Sequence, residues 1–299
     1  EKFAGSYRGQ CNDYVKSAEI KDAVNLWLAE LVGKAAAKLF PQNWWCFLLE
    51  TKETLTMRAL QQFGIPNVAS RCVVPNPSSE ECVAISIAEP AIHTYCMTSH
   101  ELLAALRADE HEVRKTLHSF HWPGTFAFVW LDYCGALSSS VGRARRSDIE
   151  QLFAEGFLIS GSVLAVTLSE RGATCAYDGD LVDSLVVCVQ EAAKRAGHRV
   201  SLLGYVEYSV TAAILTAAFL VRGGGCELDV AVSDLQAARP LATAGLAHME
   251  GGSWQIGRGL DTCFQKPVAR ALAWCAKAFA ESAKGLLLQA EHEQQTILV

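Results

Sequence analysis

The chain has 299 residues, 51% of them hydrophobic and 19% charged, with a formal net charge of −6. That much apolar material builds a sizeable core and excludes a disordered chain. The acidic balance argues against holding a nucleic-acid backbone by charge alone, with Arg143, Arg145 and Arg146 the one dense basic run.

In chain order, residues 1–20 are polar and aperiodic and read as an N-terminal extension. From Lys21 the spacing of Val24, Leu28, Leu31, Val32, Ala35 and Leu39 predicts a helix that Pro41 ends. Residues 44–49 read as a buried strand stopping at Glu50, and 51–63 as a helix. Residues 71–74 form a short strand before Pro75-Asn76-Pro77. Ser78, with Glu81 three positions on, predicts a capped helix to about Ala88. Residues 91–97 read as a third strand and 99–117 as one helix. Phe126–Leu131 is a continuous apolar run ending at Asp132, and Ser147 with Glu150 opens a helix to Glu155. Residues 161–168 form a fifth strand, 181–196 a helix closed by Gly197, and 199–208 with 212–222 a hairpin. Strands alternating with helices imply parallel crossovers, and the unbroken apolar runs fit central strands covered on both faces. The chain therefore divides into an extension (1–20), an α/β domain (21–225) and an Ala-rich helical extension (226–299). Within the last, 267–288 is the clearest helix.

Eleven cysteines without a C-x-x-C pair read as reduced, buried thiols and point to a reducing compartment, cytoplasmic or mitochondrial. The longest apolar candidate for a bilayer span, 210–221, is about half the roughly 20 residues needed. The chain starts at Glu1, which fits a processed start and leaves a removed organelle presequence open.

This order of elements resembles the class I S-adenosylmethionine-dependent methyltransferase fold over about residues 26–222. Glu50 ends the first strand, Asn76 in VVPNPSS follows the second, and Asp132 in WLDYCGAL ends the fourth. The resemblance implies a Rossmann-like, mostly parallel seven-stranded α/β sheet with a terminal antiparallel hairpin. It implies S-adenosylmethionine as cofactor, held by Glu50, Thr51 and Asn76, and an acceptor site at Asp132 and Tyr133. The departure is the first turn: Glu50-Thr51-Lys52-Glu53-Thr54 has no glycine where the family has an acidic-x-Gly-x-Gly pattern.

Each residue has a second reading. Glu50 either holds the cofactor's amino group or faces the dipole of the following helix. Asn76 is either a ribose ligand or a turn residue between prolines. Asp132 and Tyr133 either seat a methyl acceptor or form a loop aspartate and a half-buried ring. Cys134 lacks an electropositive neighbour and reads as inert, and His93, Cys96 and His100 do not make a metal site. Two functions follow. One is a methyltransferase acting on RNA or protein. The other is a degenerate methyltransferase fold serving as a subunit of a larger, organellar complex. In that case the partner is a protein bound through the C-terminal extension, with Trp254 and Trp274 as candidate anchors.

Overall fold

The computed structural model describes residues 18–39, 44–65, 67–133, 135–137, 142–169, 181–209, 213–223 and 254–255. The described elements run α1 (Ala18–Leu39), β1 (Cys46–Leu48), α2 (Leu55–Gln62), β2 (Cys72–Pro75), α3 (Ser79–Ala88), β3 (His93–Tyr95), α4 (Ser99–Arg107), α5 (Glu112–Ser119), β4 (Phe126–Asp132), α6 (Gly142–Ala154), β5 (Leu158–Ser169), α7 (Leu181–Arg195), β6 (His198–Ser209), β7 (Ala213–Gly223) and β8 (Trp254–Gln255). The sheet order is β3-β2-β1-β4-β5-β7-β6-β8. β1 to β5 are mutually parallel, and β7 runs antiparallel between β5 and β6. This is the class I methyltransferase-like, Rossmann-like fold, with β8 added at the β6 edge.

The period of two along each strand divides the core into two layers. Phe47, Val129, Leu131, Leu164 and Val166 face α4 to α7. Cys46, Leu48, Phe128, Trp130, Val163 and Ala165 face α1 and α2, with Val24, Trp27, Leu28, Leu31 and Val32 supplying the apolar stripe of α1. Burying one such side chain contributes about 1.5–3 kcal/mol. Between β4 and β5 the register shifts after Phe126. Ser162 Oγ fills the bulge, donating to the Phe126 carbonyl at 2.7 Å and accepting from Ile159 N at 3.0 Å.

Several boundaries differ from the sequence reading, each for a local reason. The helix after β1 begins at Leu55, because residues 51–54 form a turn and Thr54 takes a left-handed conformation (φ 48). The single helix expected over 99–117 is two. His111 caps α5 by accepting from Val113 N through Nδ1, and Arg114 bonds the Leu106 carbonyl at the end of α4. The helix expected to open at Ser147 starts at Gly142, so the arginine run lies on α6 and not in a loop. α1 starts at Ala18, inside the expected extension. The expected cap at Ser78 is present, its Oγ accepting from Glu81 N at 3.3 Å. In the expected helical tail, Trp254–Gln255 pair antiparallel with Glu207 and Tyr208 of β6. The rest of the tail, with Trp274 and the 267–288 helix, lies outside the described residues, as do residues 1–17 and Cys134.

Candidate active site

In an open α/β sheet, ligands bind beyond the carboxyl ends of the strands, where the strand order reverses. Here that point lies between β1 and β4. Glu50 follows β1, Asn76 follows β2 and Asp132 ends β4, so residues far apart in sequence come to one edge.

Glu50 is 6% exposed, and its Oε1 accepts from Met57 N at 2.9 Å, satisfying a free N–H of the first turn of α2. Burial pushes its carboxyl up from the ordinary 4.5 to about 7, against the pull of bonds from Met57 and Thr56; the Asp132 charge adds a smaller upward push. Asn76 is buried, and both ends of its amide are bonded. Its Nδ2 donates to the Glu50 carbonyl at 3.1 Å, and its Oδ1 accepts from Ser78 N at 2.9 Å. It thereby ties the turn after β1 to the start of α3. Thr51 donates its hydroxyl to Glu53 at 2.6 Å.

The turn keeps a backbone made for glycine. Thr54 stands where the second glycine of the family pattern would, with φ 48, fully buried, and its Oγ1 has no hydrogen-bond partner. A β-branched residue in this region is strained by about 1–2 kcal/mol.

Asp132 and Tyr133 diverge. Consecutive residues at a strand end point to opposite faces, and these two do. Asp132 lies on the α1 side, where Lys21 Nζ reaches its Oδ2 at 3.2 Å. Thr56 Oγ1 donates to Asn25 Oδ1 at 2.9 Å, a polar tie from α2 to α1. Tyr133 lies on the other side, 8% exposed, and donates its hydroxyl to Asp148 Oδ2 at 2.7 Å. Asp148 is 1% exposed and also accepts from Ser99 Oγ at 2.5 Å and pairs with His100 Nδ1 at 3.0 Å. Burial raises the Asp148 carboxyl, and burial with the Asp148 charge raises the Tyr133 hydroxyl well above its ordinary range. Arg145 lies over the Tyr133 ring at 5.7 Å and donates to the Ala136 carbonyl at 2.6 Å. A Cβ on Gly135 would stand 2.7 Å from that guanidinium, so the glycine of LDYCG makes room for Arg145.

Glu50, Asn76 and Asp132 come together as the sequence implies; Thr54, expected to cap the helix through its hydroxyl, makes no such bond, and Lys21 and the Asp148 cluster were not foreseen. Thr54 was legible as the second glycine position of the departed motif. Lys21 carries no local signal, since its partner is 111 residues away. His93 Nε2 bonds the Ser70 carbonyl at 3.1 Å. No group of three or more His, Cys, Asp or Glu able to hold a metal occurs among the described residues, and no described helix is long and apolar enough to cross a membrane.

No family model matches the chain, and no curated protein does. Among solved structures it is similar to a ribosomal protein L11 methylase from Lactobacillus delbrueckii subsp. bulgaricus (12% identity, 64% of this chain, 77% of that one, TM-score 0.36). It is also similar to a 16S rRNA adenine methyltransferase from Catenulisporales acidiphilia (14% identity, 66% and 93%, TM-score 0.39). A third is the plantazolicin methyltransferase BpumL in complex with SAH (7% identity, 71% and 89%, TM-score 0.43). These stand beside the sheet order, which carries the fold assignment by itself.

Proposed function

We propose that the chain is a methyltransferase that holds S-adenosylmethionine beyond the carboxyl ends of β1, β2 and β4, with protein or RNA as acceptor. The observation that carries the reading is the meeting of Glu50, Asn76 and Asp132 at the point where the strand order reverses. The unpartnered, fully buried Thr54 hydroxyl in the same turn fits a polar ligand group. Glu50 faces the amino end of the cofactor, and its carboxyl ionises when an ammonium comes close, because an opposite charge offsets the cost of burial. Asn76 acts through the backbone, fixing the shape of the turn that the cofactor meets. The cofactor supplies an activated methyl group. The protein's part is to align the acceptor and exclude water.

The test is a calorimetric titration with S-adenosylmethionine and S-adenosylhomocysteine. Micromolar affinity, about −8 kcal/mol, is expected. No heat at millimolar ligand overturns the reading. With binding in place, Asp132→Ala is expected to abolish transfer without unfolding the protein.

One observation favours the second reading, a scaffold subunit. α3 buries Cys82 and Ile85 yet presents Val83 (59% exposed) and Ile87 (75% exposed) on its outer side. A helix apolar on both sides suits a protein partner, which under this reading also engages the C-terminal extension. Failure to bind the cofactor, together with co-purification in a larger assembly, would favour it.

A further inference from the structure

The Lys21–Asp132 pair occupies the place where the reading above puts the acceptor, and that reading is what the following inference rests on. Lys21 Nζ is 3.2 Å from Asp132 Oδ2, and the two side chains are 19% and 20% exposed, at the crevice mouth but largely out of water. Lys21 lies in the first turn of α1. The helix sets the Lys21 ammonium on the carboxylate that ends β4. A primary amine in hydrogen-bond contact with the acceptor-site carboxylate has the geometry of a substrate, delivered by the chain's own helix.

We propose that Lys21 is a methyl acceptor in cis, and that the acceptor class of the site is a primary alkyl amine. The Lys21 ammonium first loses one proton to water, and Asp132 then holds the neutral amine by a remaining N–H. The freed Nζ lone pair then attacks the methyl carbon. The new N–C bond forms as the S–C bond of the sulfonium breaks, and that electron pair stays on sulfur. The products are N-methyl-Lys21, again cationic, S-adenosylhomocysteine and one released proton. Asp132 is the catalytic residue of this step: it touches the amine and orients its lone pair.

The full chain is incubated with S-adenosylmethionine and mapped by peptide mass spectrometry. A gain of one or more methyl groups at Lys21 is expected, lost in Asp132→Asn. In Lys21→Arg, which keeps the ion pair and removes the amine, the peptide stays unmethylated while calorimetry still detects cofactor. An unmodified Lys21 in a chain that calorimetry shows to bind the cofactor overturns this inference and leaves the parent reading intact. A chain that does not bind cofactor overturns both. A readout without cofactor is acylation by an amine-reactive ester. Lys21 is expected to react more slowly than the exposed Lys52, and several-fold faster in Asp132→Asn. Equal rates in the two proteins would overturn the pairing on which the step depends.

Discussion

Replacing Glu50 with Gln tests the electrostatics of the crevice directly. The side chain keeps its shape, and an amide oxygen still accepts from Met57 N, 2.9 Å away. What changes is the charge. Burial carries the Glu50 carboxyl from 4.5 to about 7 in the folded chain. At 1.36 kcal/mol per pH unit this corresponds to roughly 3 kcal/mol. A raised folded value means that the stabilising contribution is fully present below the unfolded value of 4.5. It is lost as pH rises through about 7. Between about pH 5 and pH 8 the native protein should therefore lose roughly 3 kcal/mol relative to Glu50→Gln, whatever the other groups do, since they are common to both. The assay is urea unfolding of both proteins across that range, comparing midpoints at constant slope. A stability difference that stays flat from pH 5 to 8 would refute the buried, largely protonated carboxyl.

Other changes test the surrounding contacts. Thr54→Gly relieves the left-handed strain and removes an unpaired hydroxyl while losing a buried methyl. Stability should stay within about 1 kcal/mol, and calorimetry should find cofactor binding tightened. Asp148→Asn takes the charged acceptor from Ser99, Tyr133 and His100 at once. It should cost about 2–4 kcal/mol, whereas Tyr133→Phe should cost about 1 kcal/mol, both by urea unfolding. Gly135→Ala drives Arg145 off the Tyr133 ring and the Ala136 carbonyl, for a loss of about 1–2 kcal/mol. Here the neighbour is the flexible end of a side chain, so the protein should still fold.

The parallel strands and the hairpin were legible because each buried strand is a continuous apolar run and α2, α4, α5 and α7 each have an amphipathic stripe. Phe126–Asp132 and the pair β6 and β7 fall within a residue or two of where patterning put them. The place of the glycine-free turn after β1 was legible, but its conformation was not: nothing in Thr51–Thr54 announces that a threonine accepts φ 48. The opening of α6 was hidden by Ser147, whose pairing with Glu150 imitates a cap although its Oγ accepts from Gln151 within the helix. At the site, the three acidic or amide residues were legible from strand ends. The split between Asp132 and Tyr133 follows from strand alternation, which applies to any two adjacent strand residues. Lys21 and Asp148 were out of reach, because their roles come from contacts across the sequence that local pattern does not encode.

The outer strand β6 runs for 12 residues, and β8 covers it at Glu207 and Tyr208. Long, straight edges recruit other strands, and a kink is one natural safeguard. The register between β6 and β7 shifts between Leu202 and Gly204, so the edge carries such a kink, with Trp27 packed 3.3 Å from the Cβ position of Gly204. Among the described residues β8 pairs with β6 only at Glu207 and Tyr208, and deleting one residue at the shift would straighten the strand. The expected result is concentration-dependent self-association of a chain whose crevice, on the far side of the sheet order, is untouched.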